Sequence, residues 1–192
     1  MATKDEILSR LLKEENYVSG EELARQTGVS RAAVWKAIKS LKKSGYDIEG
    51  VTKCGYKLKH NNSLVTAEGV KALLERDIEV THFDTIDSTN TYCKRLLADG
   101  KQGEFLVTAA KQTAGRGRQG KSFYSPSETG IYFSLVIRPD TSLQNAVTAT
   151  TAAAVAVCKA IEKTTDLKPK IKWVNDVYLN GKKVCGILTE AT

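Results

Sequence analysis

The chain has 192 residues, of which 41% are hydrophobic and 27% are charged, and its formal net charge is +7. This composition is typical of a soluble globular protein with one or two domains. No apolar run approaches the length of a membrane span, and the N-terminus lacks the apolar core of a signal peptide. The sequence therefore predicts a cytoplasmic protein without a membrane partner.

The placement of the cysteines and histidines argues against several kinds of functional site. Cys54, Cys93, Cys158 and Cys185 are far apart in sequence and form no C-x-x-C pair. We therefore expect reduced, mostly buried thiols rather than disulfides or a zinc site. The two histidines have no obvious nucleophile partner in sequence, which argues against a catalytic triad or a metal enzyme.

Residues 1–60 predict a helical domain that ends in a β-hairpin. Apolar residues at i, i+4 spacing predict a helix over residues 4–15. Ser19 and Glu22 form a capping box for a second short helix, and Gly28 suits the left-handed residue that ends it. Ser30 caps a third helix over residues 31–43, whose inner stripe is Val34, Ile38 and Leu41. Alternating runs over residues 45–51 and 55–58 complete the pattern of a winged helix-turn-helix.

The positive charge is concentrated in this domain. Residues 1–29 carry four basic and six acidic side chains, a net of −2, whereas residues 30–59 carry eight and two, a net of +6. Such asymmetry favours a polyanion partner, and the third helix would enter the major groove of DNA. The predicted DNA-contacting residues are Ser30, Arg31, Trp35, Lys36 and Lys39 on the helix and Lys53 and Lys57 on the wing. The alternative is a solvated face on a protein-interaction module, and the size of Trp35 favours packing within the domain over base contact.

A polar segment over residues 59–63 separates this domain from a second one over residues 64–192. Thr66 starts a helix over residues 67–74, and further helices are predicted over residues 90–97 and 143–164. Strands are predicted over residues 79–83, 105–110, 130–137, 171–179 and 184–189, with a type I′ turn at Asn180 and Gly181. Hairpin strands with separate helices predict an α+β domain with a mixed sheet.

A glycine-rich segment lies between two of these strands. Gly115, Gly117 and Gly120 have the G-x-G-x-x-G spacing, but no helix follows, which argues against a dinucleotide-binding turn. Arg116 and Arg118 alternate with the glycines. A flexible cationic loop of this kind suits closure over a phosphate or a carboxylate, and a solvated basic loop is the alternative.

Four segments occur in a specific order. They are D-S-T-N at residues 87–90, K-Q-T-A-G-R-G-R at 111–118, K-W-x-N-D at 172–176 and N-G-K-K-x-x-G-I-L at 180–188. Taken alone, the first segment is a helix cap. In this order, the chain from about residue 84 onward resembles the biotin protein ligase family, and the N-terminal domain resembles that of its bifunctional ligase–repressor members.

The resemblance implies a class II synthetase-like catalytic domain that uses biotin, ATP and Mg²⁺. The carboxylate of biotin would attack the α-phosphate of ATP to give biotinyl-5′-AMP, and a lysine of a biotin carboxyl carrier protein or carboxylase domain would displace AMP. The adenylate would also promote homodimerisation on operator DNA and repression of biotin genes. The rival is a DNA-binding regulator whose second domain only senses a ligand.

Site residues follow from the resemblance, position by position. The implied biotin-binding residues are Ser88, Thr89, Asn90, Gln112, Gly115, Arg116, Gly117, Arg118 and Lys183. The implied nucleotide-binding residues are Arg116, Arg118, Phe123, Lys172 and Asn175. The implied catalytic residues are Lys183, Arg118 and Asp176, of which Asp176 is a possible Mg²⁺ ligand through ATP.

Departures from the family pattern are also present. Phe123 stands where the family often has tryptophan, and Val174 where it usually has proline. The family continues with further sheet and a small C-terminal barrel. The missing strands would leave an exposed sheet edge and an incomplete core. The resemblance therefore implies either a C-terminally truncated chain or a sheet that another chain completes.

Overall fold

The computed structural model describes residues 3–59, 65–138 and 146–191. Within these ranges the elements are, in chain order, α1 (Thr3–Lys13), α2 (Gly20–Thr27), α3 (Arg31–Lys43), β1 (Ile48–Val51), β2 (Gly55–Leu58), α4 (Ala67–Leu73), β3 (Glu79–Phe83), α5 (Thr89–Ala98), β4 (Phe105–Ala109), a 3-10 turn (Arg118–Gly120), β5 (Tyr132–Val136), α6 (Ala146–Thr164), β6 (Lys170–Lys172), β7 (Asp176–Leu179) and β8 (Lys182–Gly186).

The N-terminal helices begin and end where their capping residues lie. Ser19 Oγ accepts the Glu22 amide at 3.0 Å, and Gly28 ends α2 with a φ of 67°. Ser30 Oγ accepts the Ala33 amide at 3.2 Å at the start of α3. These caps, each of which stabilises a helix by about 1 kcal/mol, confirm the predicted helix-turn-helix.

Burial of the inner stripes holds this domain together. The predicted inward residues of α3 are all buried, and they pack with apolar residues of α1, α2 and the wing. The core cluster consists of Ile7, Leu8, Leu11, Leu23, Val34, Ala37, Ile38, Leu41, Tyr46, Ile48, Leu58 and Ala72.

The wing is an antiparallel pair in which Ile48 lies opposite Leu58. Gly55 has a φ of 113°, and a Cβ there would lie 2.1 Å from the Val18 carbonyl oxygen. Only glycine permits this approach, which lets Val18 and Tyr56 exchange two backbone hydrogen bonds at 2.8 Å. The close contact anchors the wing to the segment before α2.

Helix α4 packs on the N-terminal domain. Its Ala72 belongs to the core cluster described above, and Lys4 of α1 forms a 2.8 Å ion pair with Glu68. Thr66, the cap of α4, shares a hydrogen bond with the Tyr46 hydroxyl. The division into residues 1–60 and 64–192 stays a prediction, and the linker residues 60–63 lie outside the described residues.

A mixed sheet forms the base of the second domain. β3 and β4 are parallel, with Glu79 opposite Phe105, and β4 and β5 are antiparallel, with Phe105 opposite Val136. Helix α5 covers one face of this sheet, where Cys93 packs with Phe105 and Val107. The parallel and antiparallel pairs confirm the predicted α+β class.

The prediction of one strand over residues 171–179 was wrong. The chain reverses after Lys172, so that β6 and β7 are antiparallel neighbours with Lys172 opposite Asp176. No glycine or proline occurs between Ile171 and Leu179, so the sequence carried no strong turn signal at the reversal. The type I′ turn between β7 and β8 is confirmed, since Asn180 and Gly181 have φ values of 49° and 78°.

Two further expectations concern α6 and the cysteines. Helix α6 follows the prediction from Ala146, and its predicted residues 143–145 lie outside the described residues. All four cysteines are free, as expected, but only Cys93 is fully buried and Cys54 is exposed. The expectation of mostly buried thiols was wrong, because Cys158 and Cys185 are only half-buried and Cys54 lies in the exposed turn of the wing.

β5 is an edge strand of the described β3–β4–β5 sheet. One face of β5 and of the residues next to it is apolar and 48–67% exposed. Its residues are Ile131, Phe133, Leu135 and Ile137. No helix in the described parts of the chain is long and apolar enough to cross a membrane.

Candidate functional site

The start of α5 is held by ion-paired and capping contacts. Ser88 Oγ accepts the Thr91 amide at 3.4 Å, which confirms the predicted cap. Asp87 accepts the Ser88 amide at 2.8 Å and two hydrogen bonds from Arg95 at 2.8 and 3.1 Å. The hydrogen bonds from Arg95 and then from the Ser88 amide lower the pKa of Asp87. Together these contacts fix the backbone at the start of the helix.

A chain of neutral hydrogen bonds connects α5 to the base of the glycine-rich loop. Thr89 donates both its amide and its hydroxyl to Gln112 Oε1, at 2.9 and 3.2 Å. Gln112 Nε2 donates to Ser125 Oγ at 3.0 Å, and Ser125 donates to the Phe123 carbonyl at 3.0 Å. Because both donors of Thr89 meet the amide oxygen, the side-chain amide of Gln112 has one orientation.

Ser134 of β5 extends this network to Asn90. Its hydroxyl lies 2.8 Å from Thr89 Oγ1 and also makes a hydrogen bond to Asn90 Oδ1. Asn90 Nδ2 donates to Glu190 Oε2 at 3.1 Å. Sequence reasoning missed Ser125, Ser134 and Glu190. The signal for Ser134 was a polar residue within the otherwise apolar strand β5, and Glu190 carried no such signal.

The glycine-rich loop folds back on itself as an irregular hairpin. The Phe123 amide donates to the Gly115 carbonyl at 2.8 Å, and the Gly117 amide donates to the Lys121 carbonyl at 2.7 Å. A Cβ on Gly115 would lie 2.4 Å from the Phe123 carbonyl oxygen and 2.7 Å from Ser125 Oγ. Glycine at this position therefore serves close backbone approach.

Three cations of the predicted site meet near this loop. Arg116 Nη2 lies 3.6 Å from Glu190 Oε1, and Lys183 Nζ lies 2.7 Å from Asp176 Oδ1. Arg118 Nη1 donates to Asn175 Oδ1 at 3.0 Å. The side chains of Arg116 and Lys183 are 46% and 39% exposed, so both remain accessible to a ligand.

Phe123 and Gly186 complete the surroundings of Lys183. Lys183 Nζ lies 5.9 Å from the centroid of the Phe123 ring. A Cβ on Gly186 would lie 3.0 Å from both the Lys183 side chain and the Phe123 ring, so glycine makes room for them. Lys172, in contrast, lies 5.4 Å over the Tyr178 ring rather than against Asp176, its cross-strand neighbour. Direct contacts thus connect Arg118, Asn175, Asp176, Lys183 and Phe123, whereas Lys172 lies against Tyr178.

The arrangement suits a ligand with two chemically different ends. Thr89, Asn90 and Gln112 supply neutral donors and acceptors, whereas Arg116 and Lys183 supply positive charge. Neutral polar groups can pair with the hydrogen-bond donors and acceptors of an uncharged ring. Cations bind a carboxylate or a phosphate. Among the described residues, no group of three or more histidine, cysteine or acidic side chains is placed to hold a metal ion.

The predicted DNA-contacting residues lie on the exposed side of α3 and on the wing. Arg31, Lys36 and Lys39 are exposed, as is Lys53 in the wing turn. Lys57 lies 6.0 Å from the Tyr17 ring centroid. These positions leave the positive charge open to a polyanion.

The expectation that Trp35 packs within the domain was wrong. Its side chain is 54% exposed, and Lys39 Nζ lies 5.2 Å over its ring. Trp35 follows the buried Val34 by one position, about 100° around the helix, which turns it away from the inner stripe. A shallow groove beside it is lined by Trp35, Ile38, Lys39, Lys42 and Tyr56.

Comparisons with known proteins match both parts of the chain. A family described as "Biotin/lipoate A/B protein ligase family" matches residues 82–192, and one described as "HTH domain" matches residues 3–57. The bifunctional ligase/repressor BirA of Bacillus spizizenii is 39% identical over 177 residues, which cover 91% of this chain and 54% of that protein. BirA of Escherichia coli K12 is 33% identical over 185 residues, which cover 96% and 57%.

Among solved structures, the biotin protein ligase from Aquifex aeolicus in complex with biotin and ATP matches with a TM-score of 0.52 and 32% identity. The match covers 59% of this chain and 47% of that one. The chain spans about half the length of the curated relatives it matches.

Proposed function

Because the chain belongs to the biotin/lipoate A/B protein ligase family, we propose that it activates biotin with ATP to biotinyl-5′-AMP and transfers biotin to an acceptor lysine. Its N-terminal domain binds operator DNA, so that the same chain both ligates biotin and represses biotin genes. One observation carries the proposal: contacts connect the neutral network to both cations. The Glu190 carboxylate contacts both Asn90 and Arg116. Phe123, whose carbonyl accepts the Ser125 hydroxyl, has its ring 5.9 Å from Lys183 Nζ.

The neutral network fits the ureido ring of biotin, which offers two N–H donors and one carbonyl acceptor without charge. Thr89, Asn90 and Gln112 supply matching groups. Thr89 and Gln112 orient each other, and bonds to Ser125 and Glu190 orient Gln112 and Asn90. Ser88 uses its oxygen as the acceptor of the cap bond, so its hydroxyl proton remains for the ligand. Gly115 and Gly117 bring the backbone close to the bound molecule.

The cations serve the activation step. The carboxylate of biotin attacks the α-phosphate of ATP, and pyrophosphate leaves, so two anions must be brought together. Lys183 contacts the carboxylate and the phosphate, and Asp176 holds its ammonium group in place through the 2.7 Å ion pair. Arg116 and Arg118 neutralise the phosphate from the loop. Positioning and charge neutralisation of this kind supply most of the rate acceleration in such transfers.

The nucleotide would lie against Phe123, whose ring keeps the aromatic face that the family uses for adenine. Asn175, which accepts a hydrogen bond from Arg118 at 3.0 Å, would bind its polar groups. Lys172 would join it by turning from the Tyr178 ring, over which it lies in the ligand-free protein. Mg²⁺ would arrive with ATP. A single carboxylate, that of Asp176, fits this role because Mg²⁺ at nucleotides takes many of its ligands from phosphate and water.

The acceptor is a biotin carboxyl carrier protein or the corresponding domain of a carboxylase, whose lysine amine displaces AMP. Biotinyl-5′-AMP also favours a homodimer on operator DNA, which makes repression depend on the biotin supply. These steps take place in the cytoplasm.

The test is to incubate the chain with biotin and ATP and to measure AMP and pyrophosphate, followed by addition of a carrier domain and detection of biotinylated lysine. Release that requires biotin supports the proposal. Biotin-dependent DNA binding without any AMP release would instead support a DNA-binding regulator whose second domain only senses ligand. Absence of biotin binding would contradict both.

A further inference from the structure

We propose that Glu190 is a positioning residue that holds Arg116 of the glycine-rich loop in the ligand-free protein and gives it up to the anionic part of the ligand. The ligand assumed for the exchange rests on the proposed function. The contact between Glu190 and Arg116 does not depend on that function, and it can be tested without any ligand.

Glu190 lies where three parts of the site meet. Its Oε2 accepts the Asn90 side-chain amide at 3.1 Å, and its Oε1 accepts Lys94 Nζ at 2.7 Å. The same Oε1 lies 3.6 Å from Arg116 Nη2. One carboxylate therefore connects the neutral network, helix α5 and the loop.

The carboxylate also fixes the orientation of Asn90. An ionised carboxylate only accepts hydrogen bonds, so Asn90 must turn its NH₂ group toward Glu190. Its carbonyl oxygen then faces Ser134, which is the arrangement observed. Burial raises the pKa of Glu190, but the hydrogen bonds from Lys94 and Asn90 and the charges of Lys94 and Arg116 lower it more, to a net decrease.

Arg116 is the contact that can be exchanged. Its 3.6 Å separation is the longest of the three, and its side chain is 46% exposed, whereas that of Glu190 is 20% exposed. When Arg116 leaves, Glu190 keeps Lys94 at 2.7 Å and Asn90 at 3.1 Å. The partly buried carboxylate is therefore never left without a counter-charge, which would carry a large penalty.

The incoming ligand supplies the replacement anion. A carboxylate or phosphate placed beside Arg116 offers the charge-assisted bond that Glu190 gives up. The exchange leaves Asn90 in position, so the neutral end of the ligand can bind before the anionic end captures Arg116.

The first test uses limited trypsin digestion of the ligand-free chain, because trypsin must take the free Arg116 side chain into its pocket. Glu190→Gln should raise cleavage after Arg116 by about 2- to 5-fold, the range expected for loss of a partly exposed ion pair. Cleavage after the exposed Lys59 is the internal reference. The matched control is Glu104→Gln, since Glu104 is 26% exposed and pairs with Arg76 at 2.7 Å.

Unchanged cleavage after Arg116 in Glu190→Gln would overturn the proposal. An equal increase in the Glu104→Gln control would also overturn it, because general loosening of the domain would then be the cause. An increase confined to Glu190→Gln supports it.

The second test compares biotin, which is anionic, with its uncharged primary amide. Glu190→Gln should tighten the binding of biotin relative to the amide by about 2- to 5-fold. A disturbed Asn90 would weaken both ligands alike, so the ratio of their affinities isolates the charge effect. An unchanged ratio would overturn the exchange. If the wild-type chain binds neither ligand, the proposed function fails, while the ligand-free digestion still decides whether Glu190 holds Arg116.

Discussion

Neutralising two lysines of α3 tests the DNA-binding face. Lys36 and Lys39 are exposed, and neither forms an ion pair with a carboxylate in the described residues. Lys39 Nζ lies 5.2 Å from the centroid of the exposed Trp35 ring. Exposed substitutions away from such pairs change stability by about 0.5 kcal/mol or less. Lys36→Ala/Lys39→Ala should therefore leave the fold intact and affect binding alone.

The magnitude follows from the phosphate contacts that are lost. Each contact contributes about 0.9 to the slope of log affinity against log salt, so the slope should fall by about 1.8 if both lysines contact phosphate. Between about 50 and about 200 mM salt, the wild-type chain should lose roughly tenfold more affinity than the double variant. Fluorescence anisotropy of a labelled duplex over this salt range measures both slopes.

The matched control is Arg10→Ala/Lys13→Ala, which removes the same charge from the exposed last turn of α1. If net charge alone governs binding, both double variants will lower the slope equally. Such equality, or an unchanged slope in the α3 variant, would refute the assignment of α3 as the groove-contacting helix.

Two further substitutions test the second domain. Lys183→Ala should reduce biotin-dependent pyrophosphate release about 10²- to 10³-fold with a normal circular dichroism spectrum, whereas Lys182→Ala, its exposed neighbour, should be close to wild type; full activity of Lys183→Ala would exclude its catalytic role. Gly115→Ala should break the loop hairpin, because its Cβ would lie 2.4 Å from the Phe123 carbonyl. Biotin affinity measured calorimetrically should fall strongly, whereas Gly120→Ala, which has open space around it but a φ of 73°, should have the smaller effect; the reverse order would contradict this account.

Local signals in the sequence were sufficient for most of the fold. The caps at Ser19 and Ser30 and the turn at Asn180 and Gly181 were predicted correctly, because each is determined by residues within four positions of one another. The reversal after Lys172 was missed because no glycine or proline between Ile171 and Leu179 marks it.

The contacts of the site were harder to predict, because they depend on packing between distant segments. Glu190 meets Asn90 across 100 positions of sequence, and Ser134 meets Thr89 across 45. No periodicity encodes such pairs. The family resemblance indicated which residues belong to the site. Only the structure identified the Glu190 carboxylate, which contacts both Asn90 and Arg116.

Ser134→Ala offers a direct test of the neutral network. The hydroxyl is buried and faces two acceptors, Thr89 Oγ1 and Asn90 Oδ1. Its single proton serves one of them at a time, and its removal leaves a buried or partly buried acceptor without this donor, a loss of about 1–3 kcal/mol in the free energy of unfolding. Since the network also orients the groups that would contact the ureido ring, biotin affinity should fall together with stability. Denaturant unfolding and calorimetry measure the two quantities.

Ser127→Ala is the control, because Ser127 is exposed and forms no side-chain hydrogen bond to another described residue. It should match the wild type in both measurements. If Ser134→Ala lowers stability but leaves biotin affinity unchanged, the hydroxyl serves packing alone and the ligand binds elsewhere. If both quantities fall while affinity for an anion without the ureido ring, such as pyrophosphate, is retained, the neutral end of the site is the part that recognises the ring. The two ends of the site are then separable, as a network of uncharged groups beside an independent set of cations requires.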